Sequence, residues 1–539
     1  MRREKEDRKV RWFETRGPVY VEDNYVVART EELADFVDRL KKGRYIVLFA
    51  PRQTGKTTFF QNALNTLEDQ ERLYFPIHLN FEGYVDSNAP TFYTSLCEEI
   101  CKQIKKVFQK RQEAPSDRLN RFLANAKITE HISMRIFFED LGRLLEEQRF
   151  VLIIDEFDGI PQDAIRGFLH SLRHIYLSGR TRCPHSVGIV GVKSITQLNY
   201  DRSVSPFNIQ DEFHLPNFTC QQVQELLAQY TDEVGQAFAP EVTTAIHRQT
   251  AGQPFLVNRC AQILTEVLHI PKTEMITMTH FSKAHRQLLE ERNPNIEHLL
   301  TNIRRDRQFE SLLMRITSYE RGLHFNPDDE IIAELATYGV IAKSADGMCE
   351  IVNPIYQHRI LQAFKPLFNG LEGEYFSEEN GDDFIDYLTS DGAIALEALL
   401  DNFQAFIARA GFRILQVPNT PQEYVGQYLL YAYLDHFIRS VGADMFLEVQ
   451  TGRGRMDLII LHNGQKYIVE TKIWEGERRY QAGKKQLSRY LKLEGAREGY
   501  YVVFDHRATP EPRVETETLE GLTIRSYVIP VLQTHPSSV

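Results

Sequence analysis

Tyr45-Ile-Val-Leu-Phe-Ala-Pro-Arg-Gln-Thr-Gly-Lys-Thr-Thr58 decides how the first half of the chain is read. Tyr45 to Phe49 is an apolar run of strand length. It breaks at Ala50-Pro51, and a helix opens at Gly55-Lys56-Thr57. Strand, loop and helix in that order make a phosphate-binding loop. Backbone N–H groups and the helix N-terminus surround the phosphates, Lys56 reaches the β and γ oxygens, and Thr57 offers its hydroxyl to Mg²⁺. The candidate nucleotide-binding residues are therefore Ala50, Pro51, Arg52, Gln53, Thr54, Gly55, Lys56, Thr57 and Thr58. One position departs from GxxxxGKS/T. The first Gly is Ala50, which fits if it keeps a negative φ. The plain alternative is a chance Gly-Lys-Thr at a turn, and the preceding strand weighs against it.

A second stretch, Phe150-Val-Leu-Ile-Ile-Asp-Glu-Phe-Asp158, is an apolar strand that ends in acids, a Walker B pattern. Asp155 at the strand end would hold Mg²⁺ through water. Glu156 would polarise the attacking water, because phosphoryl transfer needs positioning and charge neutralisation more than covalent chemistry. Two acids at a strand end can be mere exposure, but the phosphate loop upstream favours the catalytic reading. Leu73–Asn80, Ser186–Gly191 and Phe213–Pro216 read as further strands. Arg29–Lys41, Ala89–Gln112, Met134–Gln148 and Gln162–Leu177 read as helices. This alternation predicts an α/β fold: a doubly wound, mostly parallel sheet with the nucleotide at the strand C-termini. Lys193 and Ser194, just past one strand, are either γ-phosphate sensors or an ordinary strand end. Next, Thr219 caps a helix to about Tyr230, Pro240–Gln249 forms another, and Gly252 and Pro254 punctuate the start of a third.

Ala50–Thr58, Ile153–Glu156, and Phe218-Thr219 with Ala251-Gly-Gln-Pro-Phe-Leu-Val-Asn258 resemble the AAA-like, STAND-related P-loop ATPases of bacteria and archaea, over roughly residues 20–290. The resemblance implies a helical lid after the core sheet, with the Gly-x-Pro turn near the nucleotide. It implies ATP rather than GTP, since no Asn-Lys-x-Asp guanine-reading motif is present. It also implies an arginine finger, which often acts across a subunit interface, so a homo-oligomer through the ATPase module is open. Arg173, Arg180, Arg182, Arg202, Arg304 and Arg305 all remain open for that role.

Beyond residue 300, Phe309–Tyr319 and Asp328–Tyr338 read as helices, and Gly339–Ala342 with Cys349–Val352 as a hairpin. Helix, helix, hairpin is a winged-helix order, which in this setting more often packs on the ATPase than on DNA. Phe368–Asp383, rich in Gly, Glu, Asp and Asn, is a linker or an acidic surface loop, and Ala393–Ala410 is a helix. The expected domains are 1–215 (ATPase core), 216–300 (lid), 301–367 (winged-helix-like), 368–420 (linker and helix) and 421–539.

The last segment holds a different chemistry. A helix from Pro421 to about Ser440 is followed by strands Met445–Val449, Asp457–Leu461 and Tyr467–Trp474, then helix Glu477–Lys492 and strand Gly499–Phe504. Glu470 and Lys472, two apart, share one face of their strand, and an antiparallel neighbour would bring Asp457 beside them. Two carboxylates and an amine at a strand edge suit Mg²⁺-dependent phosphodiester hydrolysis, with Asp457 and Glu470 as metal ligands and Lys472 orienting the water or stabilising the transition state. Asp457…Glu470-Thr471-Lys472 resembles the core motif of the PD-(D/E)XK nuclease superfamily over roughly residues 420–510. By that resemblance Gln486 and Tyr490 match a QxxxY element near the catalytic lysine, and Glu423 an acid of the first helix. The proline of the motif is replaced by Met456. Alternating acid and base on an exposed strand, and Gln486 and Tyr490 as helix surface, are the plain alternatives. Arg453, Arg455, Arg478, Arg479, Lys484, Lys485 and Arg489 surround the motif and are open to phosphate contact or simple solvation.

The bulk numbers fit this plan. At 539 residues the chain needs roughly two to four domains. A net charge of −11 argues against general coating of nucleic acid but leaves room for a local basic groove. No apolar run is long enough to span a bilayer, Met1–Lys9 lacks a signal-peptide core, and six cysteines without a CxxC pair point to a reducing cytoplasm. Cys97 and Cys101, one turn apart, read as a reduced helix face rather than a metal site. The expected protein is an ATPase that gates or positions a nuclease using Mg²⁺, or Mn²⁺ at the nuclease site. DNA is the expected substrate and RNA is not excluded. Defence against foreign DNA or mobile-element processing fits this pairing by analogy only. The alternative is an ATP-switched module that grips nucleic acid without cutting.

Overall fold

Parallel strands carry the phosphate loop. In the computed structural model, which describes residues 10–17, 19–51, 53–70, 72–179, 181–192, 209–291, 301, 307–318, 323–363, 387–415, 422–448 and 457–531, five of them make one sheet. They are β1 (Tyr45–Phe49), β2 (Tyr74–Asn80), β3 (Arg149–Asp155), β4 (Ser186–Gly191) and β5 (Gln210–Glu212), in the order β2-β3-β4-β1-β5. Parallel sheets bury both faces. Ile46, Leu48, Val151 and Ile153 pack with Phe36, Leu40, Phe60 and Leu64 of helices α1 (Thr30–Lys41) and α2 (Lys56–Gln70). Tyr45, Val47, Leu152 and Ile154 face the other way, toward α3 (Ala89–Lys110), α4 (Asp117–Asn125), α5 (His131–Leu144) and α6 (Gln162–Leu177).

The last strand lies three residues before its expected place at Phe213–Pro216. Phe213 still gives its N–H to Val47 O (2.9 Å), but Phe213 and Leu215 are drawn into the core and Pro216 has no N–H for a ladder. Helices α7 (Cys220–Val234), α8 (Pro240–Thr250) and α9 (Pro254–Gln262) follow. Thr219 caps the first of these: its hydroxyl accepts from Gln222 N–H (3.1 Å) while the Gln222 side chain accepts from Thr219 N–H (3.0 Å).

Two compact units divide the chain. The first runs to Ala237 and takes back Gln253–Gln262; the second holds Phe238–Gly252 and everything from Ile263 on. The helices expected as a lid are thus shared out. The first unit keeps α7 and α9, and the second takes α8 and α10 (Met278–Glu290).

In the second unit, α11 (Arg307–Ser318), α12 (Glu330–Thr337) and an antiparallel hairpin, β6 (Ile341–Lys343) with β7 (Cys349–Ile351), occur in the order read from the sequence. A further helix, α13 (Pro354–Ala363), comes next. The acidic stretch 368–383 lies outside the described residues. After α14 (Leu396–Leu415) and α15 (Gln422–Val441) comes a mixed sheet of order β12-β13-β11-β10-β9-β8. Strands β8 (Asp444–Glu448), β9 (Asp457–His462) and β10 (Gln465–Ile473) form an antiparallel meander. Helix α16 (Glu477–Glu494) crosses to β11 (Glu498–Asp505), which runs parallel to β10. The closing hairpin, β12 (Arg513–Leu519) and β13 (Leu522–Pro530), was not foreseen.

Helices α8 and α10 pack on this sheet. Gln249 Nε2 donates to Leu447 O (3.2 Å), and Arg286 donates to Ala443 O (3.1 Å) and pairs with Asp444 (2.6 Å). His285 lies between Phe281 and Phe446, 5.8 and 4.8 Å between ring centres. His358 bonds the Tyr431 hydroxyl through Nδ1 (2.8 Å). Burial, with Arg286 beside His285, and with His285, Arg439 and Arg359 near His358, pushes both imidazoles down from 6.5 to about 3. Both are neutral in the fold, and an unfolded chain takes up their protons first. Their stability contribution is present above pH 6.5 and is lost as pH falls toward 3. Urea unfolding between pH 4.5 and 6 should lose about 1.4 kcal/mol per pH unit for each histidine. His285→Gln should remove one such increment, and an unchanged slope in that variant would contradict the assignment.

Candidate nucleotide site and a second acidic constellation

The loop between β1 and α2 is shaped by two left-handed residues. Gln53 has φ +59° and Gly55 φ +83°. Ala50 is not among the residues with positive φ, so the missing first glycine costs nothing here. Its N–H donates to Gly191 O (3.2 Å) at the end of β4. Lys56 folds back over the loop and donates to Ala50 O (2.8 Å) and Pro51 O (2.7 Å). Those two carbonyls hold the ammonium where a phosphate would take it. Thr54 bonds Pro51 O (2.9 Å), and the Thr58 hydroxyl accepts from Val19 N–H (3.2 Å). Arg52 lies outside the described residues.

Thr57 donates its hydroxyl to Asp155 Oδ2 (3.0 Å), which joins the loop to the end of β3. Asp155 is 2% exposed. Burial raises its pKa, against hydrogen bonds from Glu156 N–H and Thr57 and the charge of Lys56. His78 on β2 is half-buried, and that burial lowers its pKa against the charge of Asp155. A buried carboxylate beside a hydroxyl is a hard-oxygen pair that fits Mg²⁺. Glu156 follows at φ +49° as the cap of a short turn, Phe157–Gly159. Left-handed backbone at a non-glycine residue is strained and is held by its surroundings. Phe81 N–H bonds Asp155 O (2.9 Å), and a Cβ on Gly159 would sit 2.1 Å from Phe81 O. Asp158 accepts from Val192 N–H (2.6 Å); Lys193 and Ser194 just beyond are outside the described residues.

The sequence reading missed one wall of this site. Residues 10–17 and 19–28, to which the sequence analysis gives no element, are tied together by a Trp12–Asn24 bridge. Phe13 and Tyr25 are buried against Tyr230 of α7 (ring centres 6.0 and 5.9 Å). Arg29, 7% exposed, donates to Pro216 O (2.8 Å) and Thr54 O (3.4 Å) and lies over Phe218. Burial lowers its pKa to about 10. Tyr25, Arg29, Gly55, Thr58, Pro254 and Asn258 border a space of about 60 Å³ beside the loop. The isolated aromatics Phe13 and Tyr25 were the available signal. Gln253, within the Gly-x-Pro turn, donates to Gln53 O (3.3 Å) and accepts from Leu256 N–H (2.7 Å). Of the arginine-finger candidates, Arg182 is pinned by Gly43 O (2.5 Å) and the Tyr176 ring; Arg180, Arg202, Arg304 and Arg305 are outside the described residues.

In the second unit the register sets Asp457 directly opposite Glu470 across β9 and β10. Lys472 Nζ is 3.0 Å from Glu470 Oε1, and the two side chains are each 4% exposed. The side chains of Asp457 and Glu423 are outside the described residues, as are Arg453 and Arg455. Gln486 is half-buried on α16. Tyr490, one turn on, takes a hydrogen bond from Arg248 of α8 (2.5 Å). Lys484 proves to be no phosphate contact: it is 1% exposed and pairs with Glu515 (3.3 Å) and Glu517 (2.6 Å). Arg479 pairs with Glu475. Among the described residues no group of three or more His, Cys, Asp or Glu stands arranged for a metal.

The AAA-like domain family model matches residues 14–359, more than half of the chain. The chain belongs to the AAA-like family. A second model, Domain of unknown function (DUF8371), matches residues 394–508. An uncharacterized WD repeat-containing protein of Synechocystis sp. is 22% identical over 60% of the chain; the chain spans 28% of that relative's length. Among solved structures, the Walker-type ATPase PABY2304 of Pyrococcus abyssi is 16% identical, with 65% of this chain and 99% of that one covered and a TM-score of 0.45. The Aeropyrum pernix ORC1 protein, solved in complex with DNA, is 15% identical (62% and 93% covered, TM-score 0.31). No described helix is long and apolar enough to cross a membrane.

Within the AAA-like fold, Asp155 is a buried carboxylate whose burial opposes its charge. Asp155→Asn should raise the stability of the nucleotide-free protein by roughly 0.5–2 kcal/mol while removing ATP turnover. Thermal melts without nucleotide test this, and a lower Tm would show that the carboxylate holds the fold together.

Proposed function

We propose that this protein binds and hydrolyses ATP at the β1–α2 loop and that the nucleotide state controls a phosphodiester-cleaving site on the second sheet, with DNA as substrate. The observation that carries the ATPase reading is the Thr57–Asp155 hydrogen bond with Lys56 folded over the same loop. Thr57 and Asp155 would hold Mg²⁺, which supplies charge neutralisation at the phosphates. Lys56 would leave the Ala50 and Pro51 carbonyls for phosphate oxygens, and Glu156 would orient and polarise the attacking water. The space bounded by Tyr25, Arg29 and Asn258 would widen to take the base.

The nuclease reading is supported by the register of Asp457 against Glu470, with Lys472 two residues on. The two carboxylates would hold Mg²⁺ or Mn²⁺, which makes bound water a nucleophile at neutral pH. Lys472 would orient that water or meet the charge that develops on phosphate. Control by nucleotide is supported by chain continuity. Gln249 holds the Leu447 carbonyl, and Gln253, four residues later, holds Gln53 of the phosphate loop. Defence against foreign DNA remains an analogy from the resemblance. One observation favours a second reading, an ATP-switched module that grips nucleic acid without cutting: Glu470 and Lys472 are buried and spend their charges on each other.

Lys56→Ala should weaken ATP affinity at least about tenfold, the loss of one charge-assisted phosphate contact. Equilibrium binding checks it, and wild-type affinity would sink the loop assignment. Plasmid and single-strand cleavage in Mg²⁺ or Mn²⁺, with and without ATP, tests the rest. Glu470→Ala and Lys472→Ala should each reduce cleavage by at least about 100-fold with DNA binding retained. Binding without cleavage by the wild type in either metal would select the second reading.

A further inference from the structure

The first unit has a second concave surface, one that the ATP chemistry leaves unused. Helix α3 buries one side: Phe92, Leu96, Ile100 and Ile104, at helical spacing, join the core. Lys102, Lys105 and Lys106 fall on its exposed side. With the segment that leaves α4, that side borders a groove of about 790 Å³. Lys127 lines the groove from this segment, so ammonium groups stand on both walls. Cys101, Leu123, Ala126 and Ile128 give the lining an apolar part. Glu98 is the one carboxylate among the groove's described lining residues. Lys102 pairs with Glu99 (3.1 Å), but Lys105, Lys106 and Lys127 form no ion pair with any described residue.

Two features set the chemistry of a ligand. Unpaired ammonium groups around a concavity select negative charge, here on a chain that is acidic overall at −11. An apolar lining inside a polar rim is the anatomy of a protein–protein contact, where an apolar side chain anchors and charges choose the partner. Nucleic acid fits less well. The described lining has no aromatic ring for a base to stack on and no guanidinium for a bidentate phosphate contact.

We propose that this groove binds an acidic peptide segment of a partner protein. An apolar side chain of the segment sits against Leu123, Ala126 and Ile128, and its carboxylates pair with Lys105, Lys106 and Lys127. Glu98 opposes the incoming charge and limits the affinity. Binding there needs neither ATP nor the acids of the second sheet.

The test uses the full chain and fluorescence anisotropy at low salt. The probe is a fluorescein-labelled, glutamate-rich peptide with a central phenylalanine. One control peptide carries glutamine for every glutamate, and the other serine for the phenylalanine. The probe should bind saturably, and each control at least about tenfold more weakly. The triple variant Lys105→Ala/Lys106→Ala/Lys127→Ala should weaken probe binding about tenfold, and Glu98→Gln should tighten it about twofold. Ala124→Trp, at an exposed lining position, should block the groove without removing charge. All these positions are exposed, so thermal melts of the variants should match the wild type. No saturable binding of the probe, or equal binding by the wild type, the lysine variant and Ala124→Trp, would overturn the site. Equal binding of the serine control would overturn the apolar anchor. An oligonucleotide, single- or double-stranded, that displaces the probe and binds the lysine variant more weakly would overturn the peptide assignment in favour of nucleic acid.

Discussion

One short contact joins the phosphate loop to the acid strand of the first unit, the Thr57 hydroxyl on the Asp155 carboxylate, between two elements far apart in sequence. It forms because β4 pairs with both β1 and β3 and sets the ends of those strands at one level. The loop can then be built from backbone geometry, with Gln53 and Gly55 left-handed, and the acid can be buried at the strand end. Burying that carboxylate works against stability. The surrounding core, closed on both faces by aromatic-rich helices, is large enough to carry it.

The loop and the acid strand were legible because their signals are local. An apolar run followed by Gly-Lys-Thr, and another followed by Asp-Glu, each specify their own backbone. Helices with cap chemistry, such as the one after Thr219, were legible for the same reason. The missed pieces are held by tertiary contacts. Residues 10–29 have little periodicity; their conformation is set by Phe13 and Tyr25 reaching Tyr230 and by Arg29 reaching Pro216. The closing hairpin was hidden because β12 reads as Glu and Thr alternation, half of it exposed, although Glu520-Gly521 in left-handed conformation was a turn signal between two alternating runs.

The second constellation shows the limit of pattern reading. Period-two spacing correctly implies that Glu470 and Lys472 share a face, and the antiparallel register brings Asp457 opposite. Spacing says nothing about what the rest of the chain lays over that face. Helix α16 passes so close to β11 that a side chain on Gly483 would collide with the Tyr501 hydroxyl. Under that helix, Lys484 turns inward to Glu515 and Glu517, both on the hairpin that was not foreseen. A lysine that looks like a basic surface residue on paper is a buried counter-ion in the fold.

The division of the lid helices has a consequence for descent. Phe238–Gly252 belongs with the second unit although Gln253–Gln262 returns to the first. The boundary is therefore crossed three times by one chain. A gene fusion or exchange at any single point leaves one half with a piece of the other's core. A cut inside 238–262 therefore takes from one unit residues that its own fold contains.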